Sequence, residues 1–171
     1  DCSKWSVFVF ARTFLTKGTF FGGYLDTLNK DAVGKFIEMT HKPYTELFSR
    51  YFGGTVDGIF TDEPAILIPH ADASMLPYTP TLSSEFGWRH GYEFYRVLPA
   101  LFADAGDATA QLRCDFYDTI SHVYEQAYFK QIYDYCDPLR LNSIGHVLYE
   151  GETYECHRYQ GDYFRGARYM H

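Results

Sequence analysis

Apolar residues along the chain gather into two kinds of run, short dense ones and longer ones spaced three and four apart. The dense runs are Ser6-Val-Phe-Val-Phe10, Val56-Asp-Gly-Ile-Phe-Thr61 and the stretch from Leu141 to Tyr149. Their β-branched and aromatic content fits strands buried on both faces. The first spaced run follows Asn29, a good N-cap residue, and places Val33, Phe36, Ile37, Thr40, Tyr44, Leu47, Phe48 and Tyr51 at helical intervals. Gly53-Gly54 ends it, and Pro43 inside it predicts a kink because proline removes a backbone donor. The second spaced run goes from Ala108 to about Tyr135 through Leu112, Phe116, Ile120, Val123, Ala127 and Ile132, until Asp137-Pro138 stops it. Gly18, Gly22 and Gly23 mark a loop between the first strand and the first helix. Residues 65–107 read as a long decorated loop with weak helical stretches at Ser83 to Arg89 and Tyr92 to Phe102.

The order strand, helix, strand, helix, strand favours parallel strands joined by right-handed crossovers. A full eight-unit barrel takes about 250 residues. Three strands in 171 residues therefore predict an α/β fold: a partial (β/α)8, TIM-type barrel with crossover helices. Residues 1–171 are expected to form one catalytic-barrel segment excised from a longer multidomain enzyme. A small open sheet is the alternative.

Composition narrows the function classes. At 46% hydrophobic and 22% charged, the chain has globular character. A net charge of -7 argues against nucleic acid and against an anionic membrane surface, both of which reward basic proteins. There is no apolar run of about 18 residues or more, so no membrane span is expected. The 16 tyrosines, with Trp5 and Trp88, suit sugar stacking and core packing alike. Cys2, Cys114, Cys136 and Cys156 include no C-x-x-C pair. On one continuous helix Cys114 and Cys136 would be roughly 33 Å apart, too far to bridge.

In parallel α/β architectures reacting groups sit at the C-terminal ends of strands. Glu63 and Glu150 occupy such positions. Asp62 adjoins Glu63, and because neighbouring strand residues face opposite ways only one of the two looks inward; Glu63 is taken as that one, with Asp62 in support. On the third strand His146, Leu148 and Glu150 share one parity. His146 then either bonds a sugar hydroxyl, orients Glu150, or is a satisfied core histidine. Its four-residue spacing from Glu150 on a strand does not reproduce the helical geometry of a zinc H-E-x-x-H site. Two carboxylates on different strands can divide glycosidic chemistry, one protonating the leaving oxygen while the other attacks or activates water. The plainer reading has Glu63 capping a turn and Glu150 solvated.

Five blocks of sequence add to this: Tyr24-Leu-Asp-Thr-Leu-Asn29, Phe36-Ile-Glu-Met-Thr-His41, Gly58-Ile-Phe-Thr-Asp-Glu-Pro64, Gly145-His-Val-Leu-Tyr-Glu150 and Tyr159-Gln-Gly-Asp162. In this order they resemble the α-L-rhamnosidase-like glycoside hydrolases, family 106 and its relatives. The resemblance implies a (β/α)8 catalytic barrel, hydrolysis of α-L-rhamnosides in poly- and oligosaccharides, and a periplasmic or extracellular location. It also implies a calcium ion near the substrate, with no ligands assigned. Glu63 then corresponds to one catalytic carboxylate and Glu150 to the second, although the second acid that relatives carry directly after this position is here Gly151, with Glu152 following. His146, Asp62, Asp26, Tyr149 and Asp162 become substrate-binding candidates. Asp26 also suits the entry to a helix, and Asp162 the cap of one starting near Tyr163. Two other functions stay open: a non-catalytic carbohydrate-binding or scaffolding module, and a metal-dependent hydrolase using Asp62, Glu63 and His146.

Overall fold

The first helix, α1 (Lys30–Phe48), starts where its cap predicts: the Asn29 side chain accepts from Asp31 N and Ala32 N at 3.0 and 3.2 Å. These coordinates are a computed structural model describing residues 5–13, 23–68 and 71–171; Cys2, Gly18 and Gly22 lie outside the described residues. Helix α1 runs through Pro43, which faces solvent, so water can take the carbonyl that loses its donor. Val33 and Ile37 enter the core, whereas Tyr44, Leu47, Phe48 and Tyr51 at the far end of the same stripe are exposed.

Strand β1 (Gly58–Asp62) lies parallel to β2 (Asn142–His146), with Phe60 opposite Ile144 and Asp62 opposite His146. Between them come α2 (Leu82–His90), a 3-10 turn at Phe94–Arg96, α3 (Leu98–Phe102) and a long helix. That helix is α4 (Thr109–Tyr124) and α5 (Lys130–Cys136) joined by a π-helical turn, Glu125–Phe129. After β2 follow α6 (Thr153–Gln160) and α7 (Tyr163–Ala167). No helix among the described residues is long and apolar enough to cross a membrane.

The expected three-stranded partial barrel is overturned. Among the described residues there is one sheet of two strands, β1 and β2, in a largely helical setting. The missing strand is Ser6 to Phe10. Val7 and Val9 are 86% and 88% exposed; Phe8 and Phe10 turn the other way, stack on each other at 6.3 Å, and Phe10 meets Phe102 at 5.7 Å. An alternating apolar run specifies an extended chain, and it becomes a strand only where an edge accepts it.

Phe116, Ile120, Tyr124, Phe129, Ile132 and Cys136 of the long helix form the axis of the main core, packed by Val33 and Ile37 of α1 and by Leu82 and Phe86 of α2. Glu125, buried in the π turn, is paired with Arg168. A second, smaller cluster lies beneath the two chain segments that leave the strands: Ala65, Leu67 and Ala71 after β1, Leu148 after β2, and Tyr159 of α6. Its position matters because it supports the ends at which the carboxylates sit.

Gly58 and Gly145 let the two strands approach closely. A Cβ at Gly58 would stand 2.6 Å from Asn142 O, and one at Gly145, whose φ is +152°, would collide with Thr61 O. Thr61 on the helix-facing side bonds Tyr128 OH at 2.6 Å, while Phe60 and Ile144 are exposed on the other face. The sheet therefore has one packed face and one open face.

Candidate functional site

Asp62 and His146, the last register pair of the sheet, meet on that open face. His146 Nε2 is 3.0 Å from Asp62 Oδ1, and the imidazole lies 5.8 Å from the Phe60 ring. On its other side His146 Nδ1 is 3.7 Å from Glu150 Oε2. Glu150 does not arrive there by strand alternation. The ladder stops at His146, Leu148 turns into the small core, and Tyr149 adopts a left-handed φ of 62°. The chain thereby curls back, and Glu150 Oε2 accepts from Val147 N at 3.0 Å.

Glu63 also departs from extended geometry. Its N–H donates to His146 O at 3.2 Å, continuing the ladder by one bond, and its own φ is 50°. A non-glycine residue held in the left-handed region is uncommon and costs on the order of 1 kcal/mol, a strain that clusters at functional positions. The open face at the level of β1 belongs to Asp62, and Glu63 stands one step beyond it, where the strand has ended.

The peptide of Ala65 anchors the segment that carries Glu63. Ala65 N donates to Tyr24 OH at 3.0 Å, and Thr27 Oγ1 donates to Ala65 O at 2.9 Å. Burial pushes the Tyr24 phenol above its usual value; the Ala65 N–H works the other way, and the negative charge of Glu63 adds to the rise. Tyr24 is thus a neutral hydroxyl at neutral pH within electrostatic reach of Glu63. From the C-terminal side, Ile66 N donates to Tyr159 O at 2.9 Å, and Gln160 Nε2 donates to both Pro64 O at 2.9 Å and Leu148 O at 3.2 Å. Four of the five sequence blocks therefore converge on the strand ends. The fifth lies on α1, where His41 is buried between Phe36 and Tyr135.

The remaining candidates have structural partners. Asp26 accepts from Thr79 Oγ1 at 2.9 Å and from Leu28 N at 3.1 Å, joining the entry of α1 to the chain before α2; burial holds its carboxyl above the usual range despite these bonds. Asp162 caps α7, accepting from Phe164 N at 3.1 Å, and its second oxygen is 3.5 Å from Arg165 Nε. Tyr149 packs on Tyr159 at 5.0 Å. Trp5 and Trp88 are both exposed. Sequence reasoning missed Gln160, Tyr24 and Thr27 as builders of the site, although all three stood inside the quoted blocks.

Among the described residues no three His, Cys, Asp or Glu side chains converge as ligands for a metal ion. Two open grooves, of about 430 and 450 Å³, are lined by Tyr92 to Tyr95 with α2 and by α1 with α5 respectively. Neither includes Glu63, His146 or Glu150. The strand-end cluster is an open surface in this chain.

Comparison with known proteins places this architecture. A solved rhamnosidase from Novosphingobium sp. PP1Y superposes with a TM-score of 0.64 over 87% of the chain, at 17% identity. The chain spans 14% of that protein's length. The likeness is one of fold. No family model matches the sequence, and no curated protein does.

Proposed function

We propose that the chain is part of the active-site region of a glycoside hydrolase acting on α-L-rhamnosides, with Glu63 as general acid or acid/base and Glu150 as base or nucleophile. The observation that carries this reading is the gathering of Asp62, Glu63, His146 and Glu150 at the ends of two adjacent parallel strands, on segments fixed by Tyr24, Thr27 and Gln160. Two carboxylates on the segments that follow two separate strands satisfy the minimum chemistry of glycosidic cleavage. His146, with Nε2 on Asp62 and Nδ1 turned towards Glu150, orients the second acid. The fold shared with a rhamnosidase supports the substrate class.

The test is hydrolysis of an aryl α-L-rhamnoside by the longer enzyme containing this chain. Glu63→Gln and Glu150→Gln should each lower kcat by about 10²-fold or more while the unfolding midpoint stays put. Near-normal turnover by Glu63→Gln overturns the assignment. A second reading, a non-catalytic carbohydrate-binding module, is favoured by the exposed Phe60 and Ile144 on the open sheet face. It expects rhamnose-oligosaccharide binding that survives Glu63→Gln and is lost in Phe60→Ala.

A further inference from the structure

We propose that Gln160 is a positioning residue that locks the Glu63-bearing and Glu150-bearing segments to each other. Its side chain is 2% exposed and sits between them. One amide nitrogen donates to Pro64 O, directly after Glu63, and to Leu148 O, two residues before Glu150. The amide oxygen accepts from Tyr124 OH at 3.4 Å, so the head group is held from the long helix as well. A primary carboxamide suits this place because a single nitrogen carries two N–H donors and can serve two carbonyls at once. A carboxylate would face both carbonyls with no donor, and an apolar side chain would leave two buried acceptors unpaired.

The surrounding chain fixes Gln160 in turn. Tyr159 O accepts from Ile66 N, so the end of α6 is paired to the segment after β1 through its backbone too. Gly161 has a φ of +66°, and a Cβ there would collide with Ser121 Oγ. Asp162 N donates to that same hydroxyl at 2.8 Å. The turn after Gln160 is therefore pressed against α4, which leaves the amide little freedom to move away from either carbonyl. The Glu63 side retains other supports, Tyr24 and Thr27 on Ala65, whereas the Leu148 carbonyl is bonded by Gln160 alone among side chains of the described residues. Loss of the amide should thus loosen both segments, the one after β2 more.

The consequence for catalysis rests on the function proposed above; the coupling of the two segments does not. Amide hydrogen exchange on this chain tests the coupling directly. In Gln160→Met the N–H groups of Glu63, Ile66, Val147 and Glu152 should exchange about tenfold faster or more, while those inside α1 and α4 keep their rates. In the longer enzyme the same variant should lose about tenfold in kcat with KM within about twofold, since the binding surface persists and the relative placement of the two acids does not. If circular dichroism shows Gln160→Met unfolded, Tyr124→Phe, which removes only the hydroxyl bonded to Oε1, should produce a smaller rise confined to the same four amides. Unchanged exchange, a rise in one segment only, or a uniform rise across the chain overturns the proposal. Lack of hydrolysis by the wild-type enzyme would overturn the proposed function, and exchange alone would then decide the role of Gln160.

Discussion

Asp62 and His146 face each other across the last rung of the sheet, 3.0 Å apart, and the same imidazole has Glu150 on its far side at 3.7 Å. The two side chains of the rung are 77% and 41% exposed. Water screens such a pair, so it adds at most about 1 kcal/mol to folding. Its larger effect is to hold one ring orientation beside Glu150. Asp62→Asn should therefore shift the unfolding free energy by less than about 1 kcal/mol, yet, under the function proposed above, lower kcat/KM of the longer enzyme on an aryl rhamnoside about tenfold. Urea unfolding and initial rates measured on the same preparation separate the two effects. A marked loss of stability with normal turnover would make the pair structural.

Gly145 sits where the strands come closest. An alanine there must adopt φ near +152° and push its methyl group into Thr61 O and Cγ2. Relief requires the strands to part, which would also stretch the Thr61 to Tyr128 hydrogen bond. Gly145→Ala should cost about 3 kcal/mol. Chemical denaturation checks the value; a loss below about 0.5 kcal/mol would mean that the strands separate without strain.

His41 should make the fold sensitive to mild acid. It is buried between Phe36 and Tyr135; Nδ1 is 2.7 Å from Thr40 Oγ1 and Nε2 has no partner among the described residues. Burial pushes its pKa below the ordinary 6.5, since a charged ring would lose its hydration. The unfolded chain thus takes up the proton first. The stabilising contribution is complete above about pH 6.5 and is lost progressively as pH falls from there through the lower folded value. His122 titrates in the same direction, chiefly through burial. His41→Phe should therefore flatten the decline in stability between pH 7 and 5 without abolishing it. Urea unfolding across that range compares the two proteins, and parallel curves would rule out His41 as a contributor.

Much of this organisation was legible in the residues. Asn29, the glycines at 53 and 54 and the aspartate-proline at 137 and 138 bounded elements because caps and breakers act locally. The two strands that do form fall on predicted dense runs, with β1 reaching one residue past its run, to Asp62. Ser6 to Phe10 had the same composition and failed, because pairing depends on an edge that local sequence does not describe. Helix α6 was not anticipated: Thr153–Gln160 is mostly polar and lacks an apolar stripe to announce it. At the site, Glu63 and Glu150 stood out by position, but the route by which Glu150 reaches His146 depends on left-handed backbone at Tyr149, a residue type that gives no warning of it. Gln160 was hidden for a different reason. A buried amide is recognised by the carbonyls it serves, and those lie 96 and 12 residues away in the chain.

The π turn at Glu125–Phe129 left a mark of its own in the sequence, the five-residue step from Ala127 to Ile132 within a helix otherwise spaced by threes and fours. Such a turn accommodates one residue more than the α-helical period allows. Removing a single residue from it would close the turn to ordinary α-helix and rotate everything beyond by about 100°. Ile132 and Cys136 would then swing out of the core, and β2 would follow them. The register between the two strands, and with it the meeting of Asp62 and His146, is thus set partly by counting residues in a helix on the opposite side of the sheet.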